Sequence, residues 1–142
     1  MRLRFIKLFL RAALAAAFLS AVADRFGLYP PSISSWGNWS TFLDYTQLIN
    51  PWASVSLIPA LGFLATAAEL IFGVCLLIGF KTKLFARLSG YLLLVFGLAM
   101  VFSVGIKKTF DYSVFTASAA AFALSILKDK FLEVDSIFSK KD

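Results

Sequence analysis

Apolar residues in this chain fall into four runs, and polar or turn-forming residues separate them. The first run, Leu8 to Ala23, follows Arg2, Arg4 and Lys7 and predicts a helix over about 8–26. It closes on Ala21-Val22-Ala23 before Asp24, a pattern that matches a signal-peptidase site, so a cleaved leader competes with a retained helix. Arg11 interrupts the apolar region that a leader needs and favours the retained helix. The second run, Leu57 to Gly79, has 23 residues, enough for ~34 Å of helix and so for a bilayer crossing. Gly79 is a natural stop, and "FKTK" makes a short basic connection in which Thr82 can cap the next helix. The third run spans 84–106 with Arg87 in its first turn. The fourth, Tyr112 to Leu127, is short at 16 residues; with Asp111 as its cap and Lys128 snorkelling at its end it predicts a span over about 111–128.

Between the first two runs lies the most polar stretch, Asp24 to Ser56. "YPPSISSWGNW" begins it as a loop. Trp39, Phe42, Leu43 and Thr46 then recur at spacings of three and four, which predicts a short helix over 39–48 with its apolar face on the membrane surface. Trp36, Trp39 and Trp52 suit the headgroup level, and Asn50-Pro51 ends the helix. Asn38-Trp39-Ser40 also matches a glycosylation sequon. The whole pattern predicts an all-α fold: an integral membrane four-helix bundle with a short interfacial helix in the first outer loop, a single domain over 1–142. Residues 129–142 form a tail, as a surface helix or frayed.

Composition agrees with this solvent. Hydrophobic residues make up 60% of the chain and charged ones 15%, where a soluble domain carries about a quarter. The net charge of +6 comes from basic residues placed beside apolar runs, which points to membrane topology and away from nucleic acid. With the N-terminus inside, Arg2, Arg4, Lys7, Arg11, Lys81, Lys83, Arg87 and the tail's four lysines lie on the inner side, and Arg25, Lys107 and Lys108 on the outer. Eleven against three places both termini in the cytoplasm. There is no histidine and one cysteine, Cys75. A c-type haem, an iron–sulfur cluster, a Cys/His zinc site, a C-x-x-C redox pair and a histidine base are all excluded. Cys75 suits a packed small residue.

Glu69 is the residue that composition does not explain. It lies near the middle of the second run, where a carboxylate facing lipid costs about 2.5 kcal/mol or more. Gly62, Ala65, Thr66 and Gly73 share its helical face, and Phe63, Leu64, Leu70, Ile71, Val74 and Ile78 lie opposite. Small residues let helices approach closely, so Glu69 faces the bundle. Arg11 and Arg87 enter from the inner side, about 15 Å away, and are its expected partners. The pair either holds the bundle together or leaves Glu69 to handle a proton or ligand. Asp24, Arg25, Asp111, Tyr112 and Ser113 gather at the outer end, as interfacial caps or as a polar entrance under the Trp36–Trp39 segment. Ala13, Ala17 and Ala21, and Ser113, Ala117, Ala121 and Ser125, form small-residue stripes that predict packing between the first and fourth helices.

"ELIFGVCLLIGFKTKLFA" resembles the second-to-third helix signature of the DoxX family, through Glu69, Gly73, Leu76-Leu77, Gly79, Thr82 and Lys83. Arg11, Arg25 and the stretches "SAVADRFGLY", "GNWSTFLDYTQLINP" and "DYSVFTASAAAFAL" extend the resemblance over nearly the whole chain. Lys83 stands where the family often has Arg, which keeps the charge but not the bidentate geometry. The resemblance implies a four-helix protein of the bacterial inner membrane. It further implies a membrane subunit or accessory protein of a quinone-linked or redox-stress oxidoreductase, with no catalytic motif of its own. Quinone is then the one cofactor to expect, none being intrinsic; a redox protein, another membrane protein or a second copy is the partner. The alternative is a non-enzymatic carrier or assembly factor for a solute, lipid or partner helix.

Overall fold

The computed structural model describes residues 2–138, and all regular structure among them is helical. In chain order these are α1 (Arg2–Arg25), α2 (Trp39–Ile49), α3 (Ile58–Ile78), α4 (Thr82–Ser103), α5 (Ile106–Asp111), α6 (Val114–Ile126) and α7 (Asp135–Phe138). Three are long and apolar enough to cross a membrane: α1, α3 with the 3₁₀ turn that leads into it, and α4. α6 is equally apolar but has only 13 residues.

Local chemistry sets the boundaries. Asn38 accepts a hydrogen bond from Thr41 N at 2.9 Å and so caps α2. The side chain of the sequon Asn is thereby engaged. α3 ends at Gly79, whose φ of 73° a side chain would strain. A Cβ there would also lie 2.6 Å from Arg11 Nη2 and 2.7 Å from Glu133 Cα. The third run stops sooner than its hydropathy predicts, at Ser103, and α5 occupies the connection to α6. Asp111 therefore closes α5 rather than capping the fourth run, and Ser113 stands at the start of α6 without a side-chain cap.

α1 packs chiefly on α3, and α6 on α4. The expected packing of the first and fourth helices is present but secondary: Ala121 and Ser125 are buried, whereas Ala13 and Ala17 are exposed. Phe rings decide the α4–α6 contact. Cβ atoms added at Gly90 and Gly97 would lie 2.7 Å from the Phe122 ring and 2.8 Å from the Phe115 ring. Ser118 donates to the Gly90 carbonyl at 2.7 Å, a hydrogen bond between helices where no water competes. Leu14, Ala15, Phe18, Leu76, Ala86, Ala121 and Leu124 make the core, drawn from α1, α3, α4 and α6.

The outward surface is apolar. On α3, Phe63, Leu64, Leu70, Ile71, Val74 and Ile78 are exposed, as their position opposite Glu69 predicts. In α2, Phe42 and Thr46 are buried, and Leu43, Phe42 and Trp39 surround the Cα of Gly62. Its apolar face covers α3. The tail departs from expectation. Its descriptive part is neither a surface helix nor frayed before α7, because backbone hydrogen bonds from Val134 N to Ile78 O and from Asp135 N to Gly79 O fix it to the end of α3. Lys140, Lys141 and Asp142 lie outside the described residues.

Replacing Gly90 by Leu should lower the thermal midpoint in detergent by several degrees, since the added atoms meet the Phe122 ring. Adding Phe122→Ala should restore part of the loss. A midpoint unchanged by Gly90→Leu would show that α4 and α6 do not approach as closely as described.

Candidate functional site

Glu69 does not meet Arg11 or Arg87. Its partner is Arg25, the last residue of α1, whose Nη2 lies 2.5 Å from Glu69 Oε2. Arg25 Nη1 donates to Thr66 Oγ1 at 2.7 Å, one turn along α3 from Glu69. The expectation that Glu69 faces a helix neighbour holds, and the identity of the cation is corrected. The two side chains retain 4% and 6% of their exposure, so the pair is closed to its surroundings.

The loop between α1 and α2 builds the cover. After Gly27 the chain turns back over the end of α1, and Asp24 anchors it by accepting hydrogen bonds from Ser34 Oγ, from Ser35 N at 2.9 Å and from Trp36 N at 3.0 Å. Trp36 is thereby set over Arg25, its ring centroid 5.2 Å from the guanidinium carbon. Phe42, from α2, lies closer at 3.9 Å. The faces of both rings attract the cation, and their bulk keeps water off the pair. Arg25 Nε has no hydrogen-bond partner among the described residues, consistent with a guanidinium whose flat side is against a ring.

Asp111 and Tyr112 do not join Asp24 and Arg25. Asp111 pairs with Lys107 one turn back on α5, with both side chains largely exposed. Tyr112 is exposed, on the side of Tyr45, whose phenol is pushed up from its usual range by burial and, secondarily, by Tyr112. The expected polar entrance is thus two separate features, and only the Trp36 cover belongs to Glu69.

Arg11 organises a second cluster at the opposite end of α1. It is 1% exposed, and its guanidinium satisfies the end of α3: Nε donates to Leu76 O at 2.9 Å and Nη2 to Leu77 O at 3.0 Å. These carbonyls belong to the last turn, whose acceptors have no helical donors. Nη1 donates to Phe131 O and Leu132 O, both at 3.0 Å. Glu133 supplies the counter-charge, 3.6 Å from Arg11 and 2.8 Å from Lys7. Asp135 then accepts from Lys81 N at 2.8 Å and Thr82 N at 3.1 Å. The cap of α4 therefore comes from the tail, not from Thr82, whose hydroxyl finds no partner among the described residues. Arg87 is exposed and joins neither cluster.

Sequence reasoning missed Lys7, Glu133 and Asp135, which sit outside any apolar period, and undervalued Arg25. Two surface concavities are not lined by Glu69: one lies against Ser20, Asp24, Tyr29 and the Trp36 cover, the other against Lys81, Lys83 and Arg87. Among the described residues no three metal-binding side chains converge. Cys75 is a free, half-buried thiol. Compared with known protein families, curated proteins and solved structures, the chain has no match.

Asp24→Ala removes the carboxylate that accepts from Ser34 Oγ, Ser35 N and Trp36 N. Amide exchange at Ser35 and Trp36 should then accelerate by at least about tenfold, since each lost bond is worth roughly 1.5 kcal/mol or more where the acceptor is charged. Exchange within α3 is expected to change less; equal exchange at 35 and 36 in both proteins would show that Asp24 does not anchor the cover.

Proposed function

We propose that the protein is a four-span membrane protein of DoxX type, an accessory subunit of a quinone-linked or redox-stress system, in which Glu69 braces the helices rather than reacting. In this reading α6 completes a four-helix bundle as a short fourth span, and the protein lies in a bacterial inner membrane with both termini in the cytoplasm. The eleven-to-three distribution of basic residues supports that orientation.

One observation carries the role assigned to Glu69: the closed pair with Arg25, beneath Trp36 and Phe42. A quinone-handling carboxylate needs an apolar slot that ends on it, and a carrier needs a wet vestibule. Glu69 lines neither of the two concavities described above, and its side chain is 6% exposed. Its carboxylate is already matched by a cation, and Thr66 takes a second guanidinium hydrogen. Such a group fixes the register of α1 against α3. Redox chemistry in the system then belongs to a partner protein, and this chain supplies a membrane platform for it.

Removing one member of a buried ion pair leaves the other uncompensated, at a cost of about 3–5 kcal/mol. Glu69→Leu and Arg25→Met should each lower the thermal midpoint strongly. The double variant should recover most of the loss, because an apolar pair of similar volume can replace a buried salt bridge. If the double variant regains the midpoint and also complements the redox phenotype of a deletion strain, the bracing role stands. A double variant that is stably folded yet inactive would defeat it and return Glu69 to the chemistry.

A further inference from the structure

The concavity against the start of α4 has a volume of about 400 Å³ and is lined by Lys81, Lys83, Leu84, Arg87 and Asp135. Among the described residues none of its three cations forms an ion pair. Its carboxylate does not offset them fully, because both Asp135 oxygens are turned to the backbone N–H groups of Lys81 and Thr82. Lys7 and Arg11, at the same end, are buried and matched by Glu133, whereas Arg2, Arg4, Lys128 and Lys130 are exposed like the cations of the hollow. What sets Lys81, Lys83 and Arg87 apart is that the three converge on one hollow.

The hollow also has an apolar continuation. Leu84, Leu88, Tyr91, Val95, Leu98 and Phe102 are all exposed and recur at steps of four and three, so they form a single ridge along the whole of α4. The ridge begins inside the hollow at Leu84. A cationic hollow joined to an apolar ridge matches a phosphate headgroup with its acyl chains, which would cover the first ~15 Å of the ridge, the depth of one leaflet.

We infer that Lys81, Lys83 and Arg87 bind the headgroup of an anionic phospholipid, whose acyl chains lie along the α4 ridge. Arg87 can grip a phosphate through two N–H groups, and the lysines add charge from the other side. This inference rests on the membrane reading above. It goes beyond it by assigning a ligand to a site that the Glu69 pair does not use.

The test is selectivity in a bilayer. The full chain is reconstituted in phosphatidylcholine vesicles with a trace of spin-labelled phosphatidylglycerol or spin-labelled phosphatidylcholine, and the motionally restricted fraction is read. The wild type should prefer phosphatidylglycerol by at least about fivefold, the effect of one surface cation on an anionic lipid. A variant with Lys81→Asn, Lys83→Gln and Arg87→Gln should bring the preference close to parity; Asn tolerates the left-handed backbone at position 81. Lys107→Gln with Lys108→Gln, which removes exposed cations at the other end, should leave the preference intact. No preference in the wild type, an unchanged preference in the triple variant, or an equal loss in the Lys107 and Lys108 variant would overturn the assignment. Competition by glycerol phosphate in the absence of lipid preference would also overturn it, by giving the hollow to a soluble phosphate. A chain that cannot be recovered in vesicles at all would instead sink the membrane reading.

Discussion

The Arg25 guanidinium and the Glu69 carboxylate meet at 2.5 Å under two aromatic rings, and this end of the molecule is arranged around keeping them there. Neither charge can be left alone in an apolar interior, so α1 and α3 must stay in the register that joins them. That register requires close backbones, which Gly73 allows between α1 and α3, as Gly62 does between α2 and α3. A Cβ at Gly73 would lie 3.1 Å from Leu19, and one at Gly62 would lie 2.6 Å from Leu43. The polar loop then becomes necessary rather than incidental. It carries Trp36 back over Arg25, and Asp24 holds it by three hydrogen bonds. A single buried pair thus explains the small face of α3, the return of the loop and the position of α2.

The same constraint is met differently at the other end of α1. There the buried cations, Lys7 and Arg11, have no carboxylate within the long helices. The chain supplies one from its tail. Arg11 serves two purposes at once: it is the donor that the last turn of α3 lacks, and it fixes the tail through Phe131 and Leu132 carbonyls. Asp135 extends the arrangement to the first amides of α4. The tight α3–α4 connection is therefore secured from outside, by a segment that follows α6. Gly79 is required at this point both for its positive φ and because Arg11 and Glu133 leave no space for a Cβ.

Much of this was legible in the sequence. Period and composition located the long helices, and the small residues around Glu69 showed which way it points, because both follow from burial against an apolar exterior. The helix α2, Trp39–Ile49, was legible for the same reason. The partner of Glu69 was not. Counting turns from the inner boundary favours Arg11 and Arg87, and treats Arg25 as a residue that extends toward headgroups. Arg25 turns inward because α2 and Trp36 cover it from outside, and that cover depends on a loop with no hydrophobic period. The tail was illegible for a related reason. Its hold is through backbone carbonyls, Glu133 and Asp135, none of which leaves a trace in hydropathy. The pairing of α6 with α4 was missed because small-residue stripes occur on several helices, whereas the deciding contacts are Phe115 and Phe122 against two glycines.

The distribution of polarity bears on what kind of protein this is. Lys7, Arg11, Asp24, Arg25, Glu69 and Glu133 are buried, whereas Phe9, Phe63, Val95 and Phe102 are among the most exposed large side chains. In water such a surface would drive association, since large contiguous apolar patches are rare on soluble monomers. In a bilayer it is the natural exterior, and the cost moves to the interior charges, which is where the pairing is strict. Three of the cations without an ion pair among the described residues, Lys81, Lys83 and Arg87, line one hollow at the foot of an apolar ridge. Interior charges are consumed in holding helices together, so the chemistry left for partners and lipids is on the outside.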